Sequence, residues 1–155
     1  MTETHRLNRQ LKLAQQGGAW HGPSLLELLD GVTAEQAAAR PISDAHSIWE
    51  LVNHIVAWER IATRRLQGEV IDEVAEEVNF PPVTDTSEAA WQAALAQLAE
   101  TNRLLREAIK QIDDAKLQDA TPGKQHPLYL ELYGVLQHDV YHAGQLAFLK
   151  KLTAS

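Results

Sequence analysis

The chain has no cysteine, which removes disulfides, thiolate metal ligands and cysteine nucleophiles together. Aromatic residues make up only 6%, methionine occurs once, and no apolar run approaches the ~20 residues of a membrane-spanning helix. Cations are outnumbered: 14 Lys and Arg against 21 Asp and Glu give a formal net charge of −7. Phosphate backbones are bound by clustered Lys and Arg, and no stretch of this chain supplies such a cluster. Nucleic acid and membrane are therefore not expected partners. The segment MTETHRLNRQLKLAQQ is polar and amphipathic, without the apolar centre of a secretory signal, so the expected location is the cytoplasm.

What is present is the pattern of a helical protein. With 155 residues, 45% of them hydrophobic, residues 1–155 are expected to form a single domain. A first helix is expected from about Thr4 to Gln16, broken at Gly17-Gly18. Pro23 is expected in the first turn of a short helical piece carrying Leu25, Leu26, Leu28 and Leu29, and Thr33 with Gln36 forms a capping box for another. Ser47 and Glu50 make a second such box, opening a long helix whose apolar stripe is Ile48, Leu51, Val52, Ile55, Trp58 and Ala62, stopped by Gly68. Residues 69–86, with Pro81-Pro82, read as a connection holding at most one helical turn. A third long helix starts near Thr86 or Ser87 and runs through Trp91, Leu95, Leu98, Leu105 and Ile109 to about Ile112. After a loop at 121–127, a last helix runs from about Leu128 to Lys151. No stretch alternates long enough to argue for a sheet. The expected fold is all-α: an antiparallel four-helix bundle with a few short extra helices.

Within the last helix, QHDVYHAGQL places His138 and His142 four residues apart. Four residues advance a helix by about 400° and ~6 Å, so both imidazoles share one face, on the stripe Glu131, Val135, His138, His142, Gln145 and Leu149. Such a pair can hold one metal ion, or it can be two helix histidines each satisfied locally. His54, at the edge of the Leu51/Trp58 face, is the candidate for a third ligand from a facing helix. Three imidazoles would leave coordination positions open, as in catalytic rather than closed structural sites.

HSIWELVNHIVAW together with LQHDVYHAGQLAFLKK resembles the DinB/YfiT-like superfamily of metal-binding four-helix bundles. Its pattern is a histidine in the second helix and H-x-x-x-H followed by Gly-Gln in the last. The likeness spans about residues 20 to 150, AWHGPSLLELL included. It implies that His54, His138 and His142 bind a divalent metal ion, with zinc or nickel both suited to imidazole ligands. It also implies a thiol S-transferase or isomerase using a low-molecular-weight thiol, with metal-assisted hydrolysis second, and a homodimer. The rival expectation is a non-catalytic metal-binding bundle that acts in binding or dimerisation.

Other residues carry separate expectations. His21 could line the pocket as an acid/base or substrate-binding group, or pack beside Pro23. Asp139 gives HDVYH a likeness to the zinc-protease HExxH and could assist a water at the metal. Glu50 could orient His54 or simply close its capping box. His46 is expected to pack before the Ser47 cap, and His5 and His126 to have no chemistry. Trp20, Trp49, Trp58 and Trp91 are expected mostly in the core or an interface, with Trp58 and Tyr141 able to wall a pocket.

Overall fold

A computed structural model describes residues 1–154. Four long helices form the bundle: α1 (Glu3–Gln16), α4 (Ile48–Leu66), α6 (Glu88–Lys110) and α7 (Leu128–Thr153). Short helices α2 (Leu25–Leu29), α3 (Ala34–Ala38) and α5 (Glu76–Asn79) and a 3₁₀ turn at Asp114–Gln118 lie in the connections. No sheet is present among the described residues; Ala120 and Pro127 make one isolated bridge that closes the 121–127 loop.

The helix starts follow local chemistry. Ser24/Glu27, Thr33/Gln36 and Ser47/Glu50 each form reciprocal capping boxes, so orphan N–H groups at α2, α3 and α4 are satisfied by neighbouring side chains. Pro23 precedes the Ser24 cap instead of lying in the first turn, because Ser24 must keep an extended backbone to cap. α1 ends at Gly17, whose φ of 123° is open to glycine and strained for other residues.

The bundle mixes directions. Asn8 donates to the Arg106 carbonyl and Gln15 to that of Leu98, so α1 runs antiparallel to α6. α4 and α7 are also antiparallel: His54 meets His138 while Arg65 meets Glu131. α4 and α6 run parallel, since Trp49 packs on Trp91 and Glu59 bonds Thr101 and Asn102. The 69–86 connection makes this possible by returning along the length of α4. That return carries Asn79 and Phe80 past His54.

The core has two apolar halves. Leu25, Ile48, Ile55, Trp91, Leu98 and Leu146 belong to one, and Leu7, Leu11, Ala62, Leu105, Ile109 and Leu132 to the other. Between them α4, α6 and α7 contribute a buried polar layer of His54, Glu59, Thr101, Asn102, Asp139 and His142. Burying such groups costs several kcal/mol each unless they are paired, so a layer of this kind calls for a physical explanation. Trp49 and Trp91 are buried, Trp91 donating to the Val32 carbonyl at 2.7 Å. Trp20 departs from the core expectation and is fully exposed, because it sits in the turn between α1 and α2 and reaches neither apolar half.

Candidate metal centre

His54 reaches the bundle interior from the middle of α4, and His138 and His142 from one face of α7. His54 and His142 are buried, and His138 is 24% exposed. The Nε2 atom of His138 lies 2.9 Å from that of His54 and 3.1 Å from that of His142. All three rings thus aim one nitrogen at a common point, and their ligand atoms lie within 4.8 Å of one another.

The opposite ring nitrogens determine which tautomer each imidazole adopts. His54 Nδ1 donates to the Asn79 carbonyl at 2.6 Å, and His142 Nδ1 donates to Gln145 Oε1 at 2.6 Å. Each of these neutral rings therefore presents a bare Nε2 lone pair to His138. His138 Nε2 can carry at most one hydrogen, so at least one of its two close nitrogen contacts sets lone pair against lone pair. A cation at the shared point removes that conflict. Ligand nitrogens ~2.0–2.1 Å from one zinc ion stand roughly 2.9–3.4 Å apart when the angles at the metal are about 90–110°. The two spacings to His138 fall in that range and all three ligand atoms lie within 4.8 Å of one another, so the donor set suits a metal.

Burial holds all three rings uncharged, as ligation requires. It pushes His138 down to about 4. Burial, then the neighbouring charge of His138, pushes His142 down to about 4. His54 is also lowered, chiefly by burial.

Around the triad, further groups hold or flank the imidazoles. Phe80 stacks on His54 at 4.0 Å between centroids, and His46 stacks on the other face of Phe80 at 3.8 Å. Trp58 donates to Asn79 Oδ1 at 3.0 Å, tying the 69–86 connection to α4 as a strap beside His54. Behind His138, Asp139 Oδ1 lies 3.8 Å from Nδ1, beyond a hydrogen bond, and neither atom has a hydrogen-bond partner among the described residues.

The expectations for the remaining residues divide. Asp139 is 1% exposed and packs against Glu59 in the interior. A water in an open cavity is therefore out of its reach, and its place is behind the ligand. Glu50 accepts from Ser47 N at 2.8 Å and pairs with Arg40, so its role is the cap; the orienting acceptor of His54 is the Asn79 carbonyl. His21 is exposed and lines a separate cavity of about 590 Å³ with Pro23, Leu28, Val140 and Lys150, which no triad histidine lines. His138 instead lines a cavity of about 300 Å³ with Trp58, Val135, Gly134, Leu130 and His126. Trp58 thus walls the histidine cavity, whereas Tyr141 lines another, of about 500 Å³, beside Gln145.

Glu59 was not expected at the site. It is fully buried, accepts from Thr101 Oγ1 at 2.8 Å and Asn102 Nδ2 at 2.7 Å, and burial followed by the charge of Asp139 pushes it well above the usual carboxylate range. Burial raises Asp139 as well. The available signal was its register: Glu59 follows Ile55 by four residues and so lies on the apolar stripe of α4.

A family model of the DinB superfamily matches residues 19–146, which includes all three histidines and the strap. The chain belongs to the DinB superfamily. No curated protein and no solved structure matches it. Within this DinB-like bundle, three clustered histidines that could hold a metal ion are the feature on which a functional reading has to rest.

Proposed function

We propose that this DinB-like protein is a divalent-metal-dependent enzyme, with zinc or nickel held by His54, His138 and His142. The carrying observation is the convergence of three Nε2 atoms, two of them fixed as bare lone pairs by acceptors on the far side of their rings. Three protein ligands leave positions for a substrate, and a cavity of about 300 Å³ reaches His138. When bound, the ion supplies Lewis acidity that lowers the pKa of a thiol or water and makes it a nucleophile at neutral pH.

The protein's own residues have distinct tasks in this reading. Asn79 and Gln145 hold two imidazoles in the ligating tautomer, and Asp139 lies behind the third. Trp58, Leu130 and Val135 give the cavity apolar walls that bind an organic body and exclude water. The thiol class rests on the resemblance of the motifs to the superfamily's thiol-dependent transferases and isomerases. The homodimer rests on the same resemblance, with exposed Tyr141 and Phe148 on α7 as the apolar surface such an interface would use. No helix among the described residues is long and apolar enough to cross a membrane.

The test is a screen of activated electrophiles against several low-molecular-weight thiols, with and without chelator. Thiol-dependent, chelator-sensitive turnover supports the proposal. Chelator-sensitive turnover without any thiol points to hydrolysis. Bound metal with no turnover under any condition favours the non-catalytic bundle.

A further inference from the structure

We propose that His126 is a proton acceptor in the cavity beside His138, which takes a small molecule with an apolar body and an ionisable S–H or O–H group. This deepens the proposed function and rests on it for the ion that stabilises the anion formed. The two histidines line the same cavity from different elements, His138 from α7 and His126 from the loop that precedes it.

A chain of bonds leading to the buried Arg65–Glu131 pair fixes His126. Its Nε2 meets Glu131 Oε2 at 2.8 Å, and Glu131 Oε1 pairs with Arg65 at 2.7 Å. Arg65 is 2% exposed and Glu131 8%, and Arg65 places its other nitrogens on the Ile71 carbonyl at 2.8 and 3.2 Å. A carboxylate paired with a buried guanidinium is ionised and only accepts hydrogen bonds. His126 must then donate from Nε2, which in the neutral ring leaves Nδ1 as the bare nitrogen. Nδ1 has no hydrogen-bond partner among the described residues. The tautomer is the reverse of that in His54 and His142, whose free lone pairs are on Nε2.

The loop is as firmly held as the ring. Thr121 N donates to the His126 carbonyl at 2.9 Å, and Leu128 N to that of Asp119 at 2.9 Å. Gly123, at φ +80°, lies so near Ile71 that a Cβ there would stand 3.0 Å from its backbone. A histidine oriented by a carboxylate, its other nitrogen unpaired and its ring lining a cavity, is the arrangement by which a general base is prepared. The transfer is balanced within the site. The S–H or O–H bond breaks, the Nδ1–H bond forms, and the resulting imidazolium is stabilised by Glu131. Trp58, Leu130 and Val135 contact the apolar body.

The experiment uses ¹⁵N-histidine NMR and binding titrations on the full chain, metal-free and zinc-loaded, with 2-mercaptoethanol and acetohydroxamate as S–H and O–H probes. In metal-free wild type, His126 is expected to carry its proton on Nε2, a readout that needs no variant and no turnover. In zinc-loaded protein a probe should shift the Nδ1 resonance, and His126→Gln should weaken probe binding at least tenfold with zinc content unchanged. A response to one probe only assigns the S–H or the O–H class. A proton on Nδ1, silence toward both probes, or unaltered probe affinity in zinc-retaining His126→Gln overturns the proposal. Wild type that binds no zinc overturns the metal reading, and this inference with it, and is recognised separately by metal content.

Discussion

Lowering the pH of the metal-free protein should cost it stability through the triad, and the size can be worked from the structure. His138 and His142 both stand at about 4 in the folded chain, against 6.5 when unperturbed. Their folded values are depressed, so the unfolded chain binds more protons below 6.5. The contribution of each is fully present above 6.5 and is lost as pH falls toward 4. At pH 5 the loss is about 2 kcal/mol per histidine, approaching about 3 kcal/mol at pH 4, which is large against a total of roughly 5–15 kcal/mol. Glu59 and Asp139 act in the opposite sense, since burial raises both and they gain relative stability as pH falls. Comparing His142→Gln with wild type cancels the carboxyl contribution. Urea unfolding at pH 7.5 and 5.0, both proteins metal-free, should show the variant losing about 2 kcal/mol less than wild type over that interval. Identical pH dependence in the two proteins would refute the claim that burial holds His142 uncharged.

Phe80→Ala should release the strap from between His46 and His54, and faster zinc loss to a chelator, with little change in helix content by circular dichroism, would show it. Gly123→Ala should lower thermal stability by about 1–3 kcal/mol, because φ is +80° and its Cβ would press on the Ile71 backbone; an unchanged melt would contradict that crowding. If the exposed apolar face of α7 pairs two copies, light scattering should give a dimer that Tyr141→Glu/Phe148→Glu converts to monomer, and a monomeric wild type at high concentration would count against it.

Much of this arrangement was legible because it is local. The Ser47/Glu50 box announced the start of α4, and the four-residue spacing of His138 and His142 put two ligands on one face, as the structure places them. What escaped depends on contacts between distant segments. The residues 69–86 are polar and proline-bearing, so they read as a connection; their path along α4 supplies the Asn79 carbonyl and the Phe80 ring only once the bundle is closed. Asp139 looked available for catalysis because HDVYH resembles the zinc-protease HExxH, yet on a helix the position after His138 turns by about 100°, here into the core beside Glu59. His126 looked like an idle loop residue until Glu131 and Arg65 were seen to anchor it. A cleft of about 430 Å³ gathers Arg9, Lys12, Arg106 and Lys110 from α1 and α6, a basic cluster that no stretch of sequence displays.

The central claim is that the three histidines share one metal ion, and its most direct test is a zinc and nickel titration of wild type beside His142→Ala and His126→Ala at pH 7.5. Wild type should bind one equivalent, His142→Ala should bind at least tenfold more weakly with its helix intact, and His126→Ala should bind as wild type does. Equal affinity in wild type and His142→Ala would contradict the account.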